Sequence, residues 1–126
     1  MTIEELRVLE EELYAQPGMH GHRESNAIDP SGWRKLPQEV RTLAVEWART
    51  HFVPAKQKYR GSTYGLKHEF AANLPAEVKR RLSGGYMSSG QFKMAMLEAG
   101  FEPIDVNKNF DWHYRIKPSK LYREEK

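Results

Sequence analysis

The first sixteen residues carry an apolar stripe at the spacing of an amphipathic α-helix. The stripe consists of Ile3, Leu6, Leu9 and Leu13. At its start, Thr2 and Glu5 have the three-residue spacing of a capping box. Pro17 and Gly18 follow the stripe as helix breakers. The segment 17–33 is rich in Gly, His, Asn, Asp, Pro and Ser, a composition typical of loops. We therefore expect residues 1–16 to form an acidic helical arm, joined to the rest by a flexible loop over 17–33.

A second helix is predicted after Pro37, which suits the first helical turn because its missing N–H needs no partner there. Its apolar positions follow the i, i+3, i+4, i+7, i+8 pattern and are Val40, Leu43, Ala44, Trp47 and Ala48. After a polar, basic loop, Ser62 or Thr63 can cap a third helix over "STYGLKHEFAANL". Gly65 lies inside this helix, where glycine is unfavourable, so we expect another helix or a ligand to approach closely there.

The stretch "GGYMSSGQFKMAMLEAGF" contains the best-defined helix boundaries of the chain. Gly84–Gly85 end a short helix over "PAEVKRRL", and Tyr86–Met87 are predicted to be extended. Ser88 and Gln91 then form a Ser-x-x-Gln capping box. The apolar face behind the box consists of Phe92, Ala95, Met96 and Ala99. Gly100 occupies the position of a left-handed C-cap.

The hydrophobic period changes from helical to alternating near the C-terminus. Residues 110–117 alternate between apolar and polar side chains, which predicts a half-buried strand. Residues 101–106 provide an antiparallel partner, and Asp105–Asn109 supply turn residues between the two. Residues 118–126 are expected to form a frayed tail.

This order of elements predicts an α+β, mainly helical fold. A helical bundle followed by a hairpin is the order of a winged-helix or helix-turn-helix-like domain, here over residues 34–117. Leu66–Leu74 would be its middle helix, Ser89–Ala99 its recognition helix and residues 101–117 its wing.

Charge is distributed unevenly along the chain, although the formal net charge is only +3. Residues 1–16 carry five acidic residues and one basic residue, whereas residues 34–93 carry twelve basic and four acidic residues. A basic region of this kind is typical of a surface that binds a polyanion. The alternative is that these lysines and arginines only form the solvent-exposed faces of helices and bind no ligand.

Several classes of function have no support in the sequence. The chain contains no cysteine, which excludes disulfides, thiolate zinc sites and cysteine nucleophiles and fits a cytoplasmic setting. His20 and His22 lack a third ligand at metal-binding spacing, and no phosphate loop or Gly-x-Ser-x-Gly elbow is present. No apolar run is long enough to span a membrane. We therefore expect a non-enzymatic protein without a metal or cofactor.

Nucleic-acid binding has more positive support, because basic and aromatic residues alternate in "KQKYRGSTYGLKH". A helix start with unsatisfied N–H groups also suits a phosphate oxygen. On the recognition helix, Gln91 could read adenine and Lys93 guanine, although Gln91 could equally serve only the capping box. The candidate contact residues are Lys56, Lys58, Arg60, Ser62, Tyr64, Lys67, Ser89, Gln91, Lys93, Lys108, Asn109, Arg115 and Lys117. The three tryptophans are expected in the core rather than as stacking platforms for bases.

Three blocks of the sequence suggest a family: "RGSTYGLKHEF", "GGYMSSGQFKMAMLEAGF" and "NFDWHYRI". Together they resemble small uncharacterised proteins of phages and other mobile elements, over about Leu36 to Lys117. The last two blocks also look like winged-helix segments attached to phage replication proteins. The resemblance implies a phage or mobile-element origin and a winged-helix-like fold, and fold alone does not determine function.

A mobile-element origin raises a second hypothesis, which is an inhibitor of a host defence nuclease of the anti-CRISPR type. Such a protein needs a surface that fits the effector or its guide complex rather than an active site. The acidic first helix, with Glu4, Glu5 and Glu10–Glu12, could mimic phosphates, or the basic middle could bind the guide nucleic acid. A nucleic-acid-binding protein should bind nucleic acid alone, whereas an inhibitor should bind the effector tightly and naked DNA weakly.

Overall fold

The protein has an α+β, mainly helical fold in the computed structural model, which describes residues 1–81 and 87–125. The helices are α1 Ile3–Tyr14, α2 Arg23–Asn26, α3 Pro30–Lys35, α4 Gln38–His51, α5 Thr63–Ala72, α6 Ala76–Arg81, α7 Ser89–Glu98 and α8 Lys120–Glu125. The strands are β1 Phe52–Pro54, β2 Pro103–Ile104, β3 His113–Tyr114 and β4 Ile116–Pro118. The predicted α+β, mainly helical class is thus confirmed. The predicted stop at Gly84–Gly85 and the extended residue Tyr86 lie outside the described residues.

Helix α1 begins with the predicted capping box and packs one face against the rest of the protein. The Thr2 side chain accepts from the Glu5 amide at 3.1 Å, and the Glu5 carboxylate accepts from the Thr2 amide. Leu6, Leu13 and Tyr14 are almost completely buried. The helix is therefore part of the core rather than the separate arm that the sequence suggests, because its apolar stripe is covered by the rest of the chain.

The expected loop over residues 17–33 is mostly helical in the structure. A 3-10 turn over His20–His22 leads into α2, and α3 follows with Asp29 as its N-cap, accepting from the Gly32 amide at 2.9 Å. Ile28 and Trp33 are buried. The Gly- and Pro-rich composition led to the wrong prediction of a loop, because helices of four and six residues are too short to show a helical period of hydrophobic residues.

Helix α7 lies at the centre of the molecule and contacts α2, α3, α4 and α5. Its capping box and its glycine stop are both confirmed. At its C-terminal end, Gly100 has a φ of 96°, its amide donates to the Leu97 carbonyl and the Phe101 amide donates to the Met96 carbonyl, both at 3.0 Å. These two bonds form a Schellman motif, which fixes the direction in which the chain leaves the helix.

The C-terminal residues form two small antiparallel pairs rather than one hairpin. Pro103 pairs with Tyr114 and Ile104 with His113, as predicted for the two arms of the hairpin. Residues 116–118, however, pair with β1, so that Ile116 lies opposite Pro54. The alternation of burial predicted over 110–117 is present, but its two halves belong to different strand pairs.

The C-terminal segment is also packed rather than frayed over its described residues. The Ser119 amide donates to the His51 carbonyl at 2.8 Å, at the end of α4. Helix α8 follows, and its Tyr122 is buried with its ring centroid 5.1 Å from that of Phe52. The tryptophans are all in the core, as predicted, with exposures of 8% or less.

Candidate nucleic-acid interface

An open groove of about 1030 Å³ lies between the basic segment after β1 and the strand β4. It is lined by residues 54–60, residues 116–118 and Tyr122. Four of the candidate contact residues line it: Lys56, Lys58, Arg60 and Lys117. Residues that are about sixty positions apart in the sequence are therefore brought together because β1 pairs with β4.

The basic segment is held in place by its backbone. The amides of Ala55, Tyr59 and Thr63 donate to the carbonyls of residues 115, 114 and 112, at 2.9, 2.8 and 2.9 Å. Every fourth residue is thus attached to the neighbouring chain, and the cationic side chains lie between the attachments. A segment held in this way presents its charges with less loss of conformational entropy on binding than a mobile loop would.

The groove has a strongly positive lining. The side chains of Lys56, Lys58, Arg60 and Lys117 are exposed, and none of the described residues that line the groove is acidic. Within the described part of the chain, none of these four cations forms an ion pair. Among the described residues, no ion pair compensates these four charges, and an uncompensated positive groove of this kind favours anionic ligands.

Two tyrosines give the groove apolar surface. Tyr59 is half-buried, and its ring meets Phe52 edge-on with the centroids 5.3 Å apart. The Tyr122 hydroxyl donates to Glu69 Oε2 at 2.5 Å, and burial raises the pKa of this hydroxyl. Both rings contact Phe52 of the core, so the apolar part of the groove is continuous with the core.

The start of α5 does not offer the expected phosphate site. Ser62 caps the helix and accepts from the Gly65 amide at 3.4 Å. The Thr63 amide is already bonded to the Trp112 carbonyl, and the Tyr64 amide donates to Asp111 Oδ1 at 3.0 Å. Three amides that could have held a phosphate oxygen therefore have acceptors within the protein.

Of the other candidates on α5, only Tyr64 is accessible, with 54% of its surface exposed. Lys67 is 3% exposed, and its ammonium lies 5.0 Å from the centroid of the Tyr64 ring. The sequence prediction of Lys67 as an accessible phosphate contact is therefore corrected, because the helix turns this lysine towards the protein. Neither residue lines the groove.

The predicted recognition helix is almost entirely buried, so its proposed base contacts are corrected as well. Ser89 is 4% exposed and Lys93 is 0% exposed. Gln91 is half-buried, and its side-chain oxygen accepts from the Ser88 amide at 2.9 Å. The capping interpretation of Gln91 is thus confirmed, and Ser89 and Lys93 are not accessible to a ligand in solvent.

Lys93 is instead the centre of a buried polar cluster. Its Nζ donates to Glu10 Oε2 and to the Phe110 carbonyl, both at 2.7 Å, and lies 4.4 Å from the centroid of Trp112. Glu10 is 1% exposed, and its other oxygen accepts from the Ile28 amide at 2.8 Å.

Burial lowers the pKa of Lys93, and the charge of Glu10 opposes this shift. The cluster joins α1, the segment before α3, α7 and the segment before β3. The sequence gives no signal for this pair, because Lys93 lies at a helix position that was expected to be exposed and Glu10 lies in a run of acidic residues.

The predicted wing residues other than Lys117 are exposed but do not line the groove. Arg115 lines a smaller cavity of about 270 Å³, which also includes Glu102. Lys108 and Asn109 lie in the turn between β2 and β3, where Lys108 Nζ is 3.9 Å from Asp105 Oδ1. The structure therefore divides the candidate contacts into a groove set of four residues and others that are separate from it.

Among residues 1–81 and 87–125, no three His, Asp or Glu side chains come together in a way that could hold a metal ion. In the same part of the chain, no helix has the length and apolarity needed to cross a bilayer. His22 stacks on Phe110 with the ring centroids 4.2 Å apart, which gives this histidine a packing contact.

Comparison with known proteins gives no relative from which a function could be transferred. The chain matches no protein-family model, no curated protein and no solved structure. The groove and the chemistry of its residues are therefore the basis for assigning a function.

Proposed function

We propose that this protein binds nucleic acid without catalysing a reaction, through the groove lined by residues 54–60, residues 116–118 and Tyr122. The observation that carries the proposal is the set of four exposed cations around one groove with no acidic lining residue in the described chain. Phosphate groups are the ligands that such a set would attract, because each lysine or arginine can replace the counterions of one phosphate.

The groove supports this proposal better than the surface expected from the sequence. Two of the residues expected to recognise bases, Ser89 and Lys93, are buried, and the third, Gln91, belongs to the capping box. The sequence-based assignment of base recognition to α7 is therefore not supported by the positions of these side chains. The groove cations, in contrast, are exposed, and the backbone of the segment that carries three of them is held by hydrogen bonds at residues 55, 59 and 63. We therefore assign binding to Lys56, Lys58, Arg60 and Lys117.

The test is the salt dependence of binding to labelled oligonucleotides, measured by fluorescence anisotropy for the unchanged protein and for a groove variant. The variant carries Lys56→Gln, Lys58→Gln and Lys117→Gln. We expect affinity to fall linearly with salt on logarithmic axes and the variant to reduce this slope by about 2, because each phosphate contact contributes ~0.7–0.9.

A matched control removes the same charge elsewhere, with Arg34→Gln, Lys35→Gln and Arg80→Gln, three exposed residues outside the groove. The control should keep nearly the full slope. Equal losses in both variants would show that only net charge matters and would contradict the groove assignment. Absence of binding to any DNA or RNA would overturn the proposed function.

The inhibitor hypothesis has less support, because much of the acidic surface of α1 is occupied. Glu10 is buried against Lys93, and Glu11 forms an ion pair with Arg23 at 2.5 Å. Glu5 serves the capping box, where the hydrogen bond from the Thr2 backbone lowers its pKa. If nucleic acid does not bind but a host protein stays bound after nuclease treatment, the inhibitor hypothesis explains the protein better.

The winged-helix likeness stays a proposal about topology. In it, α5 takes the place of the middle helix, α7 that of the third helix and the β2–β3 pair that of the wing. The buried third helix would distinguish this protein from a winged-helix domain that reads a major groove. A phage or mobile-element origin and a cytoplasmic setting likewise stay expectations from the sequence.

A further inference from the structure

The geometry points to single-stranded nucleic acid as the ligand of the groove, with a base stacked against Tyr59. This inference rests on the proposed function and specifies the form of nucleic acid that the groove would hold. It follows from three observations: the shape of the groove, the buried position of α7 and the aromatic surface beside the cations.

The shape of the groove favours a flexible strand over a duplex. Its volume of about 1030 Å³ lies at the upper end of the range of small-ligand clefts, which suits a few nucleotide units. The cations of residues 56–60 and Lys117 all line this one concave surface. A duplex carries its phosphates on the outside of a stiff rod, whereas a single strand can bend into such a groove.

The fold provides no helix suited to reading a duplex among the candidates from the sequence. In helix-turn-helix proteins, the N-terminal residues of the recognition helix contact base edges in the major groove. In this protein the corresponding residues Ser89, Gly90 and Lys93 are all buried. The N-terminal end of α7 is also covered by the chain at Ala27, so it cannot enter a DNA groove.

The third observation is the combination of aromatic and basic groups. Proteins that bind single strands pair a positive groove with aromatic rings on which bases stack. Tyr59 lies between Lys58 and Arg60, lines the groove and is held by the edge-on contact with Phe52. The backbone bond from its amide to the Tyr114 carbonyl fixes the position of the residue. A base could therefore pack on this ring while the adjacent cations bind its flanking phosphates.

The experiment compares oligonucleotides of about 12 nucleotides, as single-stranded DNA, single-stranded RNA and duplex DNA of the same sequence. Anisotropy titrations at one salt concentration should show at least one single strand bound about tenfold more tightly than the duplex. Equal or tighter binding of the duplex would overturn this inference while leaving the proposed function intact. Failure of all three to bind would overturn both.

A variant series separates stacking from charge. Tyr59→Leu should lower single-strand affinity about tenfold and leave the weaker duplex affinity unchanged, whereas Tyr59→Phe should keep the affinity. Tyr64→Leu is the matched control, because Tyr64 is exposed but does not line the groove. Circular dichroism and thermal unfolding show whether each variant is folded. An unchanged affinity in a folded Tyr59→Leu protein would overturn stacking at this position.

Competition with inorganic polyphosphate gives a readout that needs no variant. Polyphosphate has the charge of a nucleic-acid backbone but no bases. We expect it to displace a labelled single strand only at a much higher phosphate concentration than unlabelled single strand does. Equal competition per phosphate would show that the groove binds any polyanion, which would contradict a base contact.

Discussion

The ammonium of Lys93 lies 2.7 Å from the carboxylate of Glu10, and both side chains are excluded from solvent. A buried ion pair stabilises a protein less than its geometry suggests, because both charges lose their hydration. Here the loss is offset by further bonds to the Phe110 carbonyl and from the Ile28 amide. The pair therefore matters chiefly through what happens when one partner is removed.

We expect Glu10→Gln to lower the free energy of unfolding by about 3–5 kcal/mol, because it leaves the Lys93 charge buried without its counter-charge. Lys93→Met should cost a similar amount by leaving Glu10 uncompensated. The double variant Glu10→Gln with Lys93→Met should lose less than the sum of the two. Denaturant unfolding of all four proteins measures this coupling, and strict additivity would show that the two charges do not interact.

Two glycines should respond in opposite ways to a methyl group. A Cβ at Gly90 would lie 2.0 Å from the Ala27 carbonyl oxygen, so Gly90→Ala should destabilise the protein by at least about 2 kcal/mol. A Cβ at Gly65 would meet nothing within 4 Å, so Gly65→Ala should stabilise it by roughly 0.5–1 kcal/mol. Thermal unfolding distinguishes them, and similar melting temperatures for the two variants would contradict the described packing.

Gln91 provides a test of whether α7 takes part in binding. Gln91→Glu keeps the capping box, since either side chain can accept from the Ser88 amide, and it adds a negative charge. We expect stability within about 0.5 kcal/mol of the unchanged protein and an unaltered affinity for nucleic acid. Lys58→Glu, the comparison variant in the groove, should weaken binding clearly. A loss of affinity with Gln91→Glu as large as that with Lys58→Glu would restore α7 as a contact surface.

The buried tyrosines make stability sensitive to alkaline pH. Burial raises the pKa of Tyr114, whose hydroxyl lies 2.8 Å from Thr63 Oγ1, and also that of Tyr14. The folded-state pKa is above the unfolded value of about 10, so this stability is complete below pH 10 and is lost as pH rises through the folded pKa.

Each such tyrosine adds up to about 1.4 kcal/mol of loss per pH unit above pH 10. The lowered pKa of Lys93 acts in the opposite direction, so the difference between two proteins is the useful quantity. Tyr114→Phe should remove roughly 1.4 kcal/mol per pH unit from the loss of stability above about pH 10, measured as the free energy of unfolding from denaturant titrations between about pH 9 and 12. An unchanged slope would mean that Tyr114 does not titrate with unfolding.

The sequence predicted the parts of the fold that depend on local chemistry. The Thr2 and Ser88 capping boxes, the left-handed Gly100 and the apolar stripe around Trp47 all follow from neighbours within a few residues. Close approach was predicted at the wrong glycine, Gly65 rather than Gly90. That contact depends on where a distant segment crosses a helix, which helical spacing does not encode.

The candidate site was predictable in part for the same reason. The basic composition identified Lys56, Lys58 and Arg60, whose exposure follows from a polar segment between helices. Burial of Lys93 was not predictable, because its partner is 83 residues away and looks like one of five acidic residues on a solvated helix. The pairing of β1 with β4, which adds Lys117 to the groove, is likewise a long-range event.

The polar cluster around Lys93 determines when the contacts of α1 can form during synthesis of the chain. Its four parts come from α1, residue 28, α7 and residue 110. During synthesis from the N-terminus, Lys93 cannot obtain its second acceptor until Phe110 has left the ribosome. The burial of Glu10 on α1 is therefore fully stabilised only after residues 93 and 110 have been synthesised, so this helix depends on a partner that lies 83 positions later in the chain.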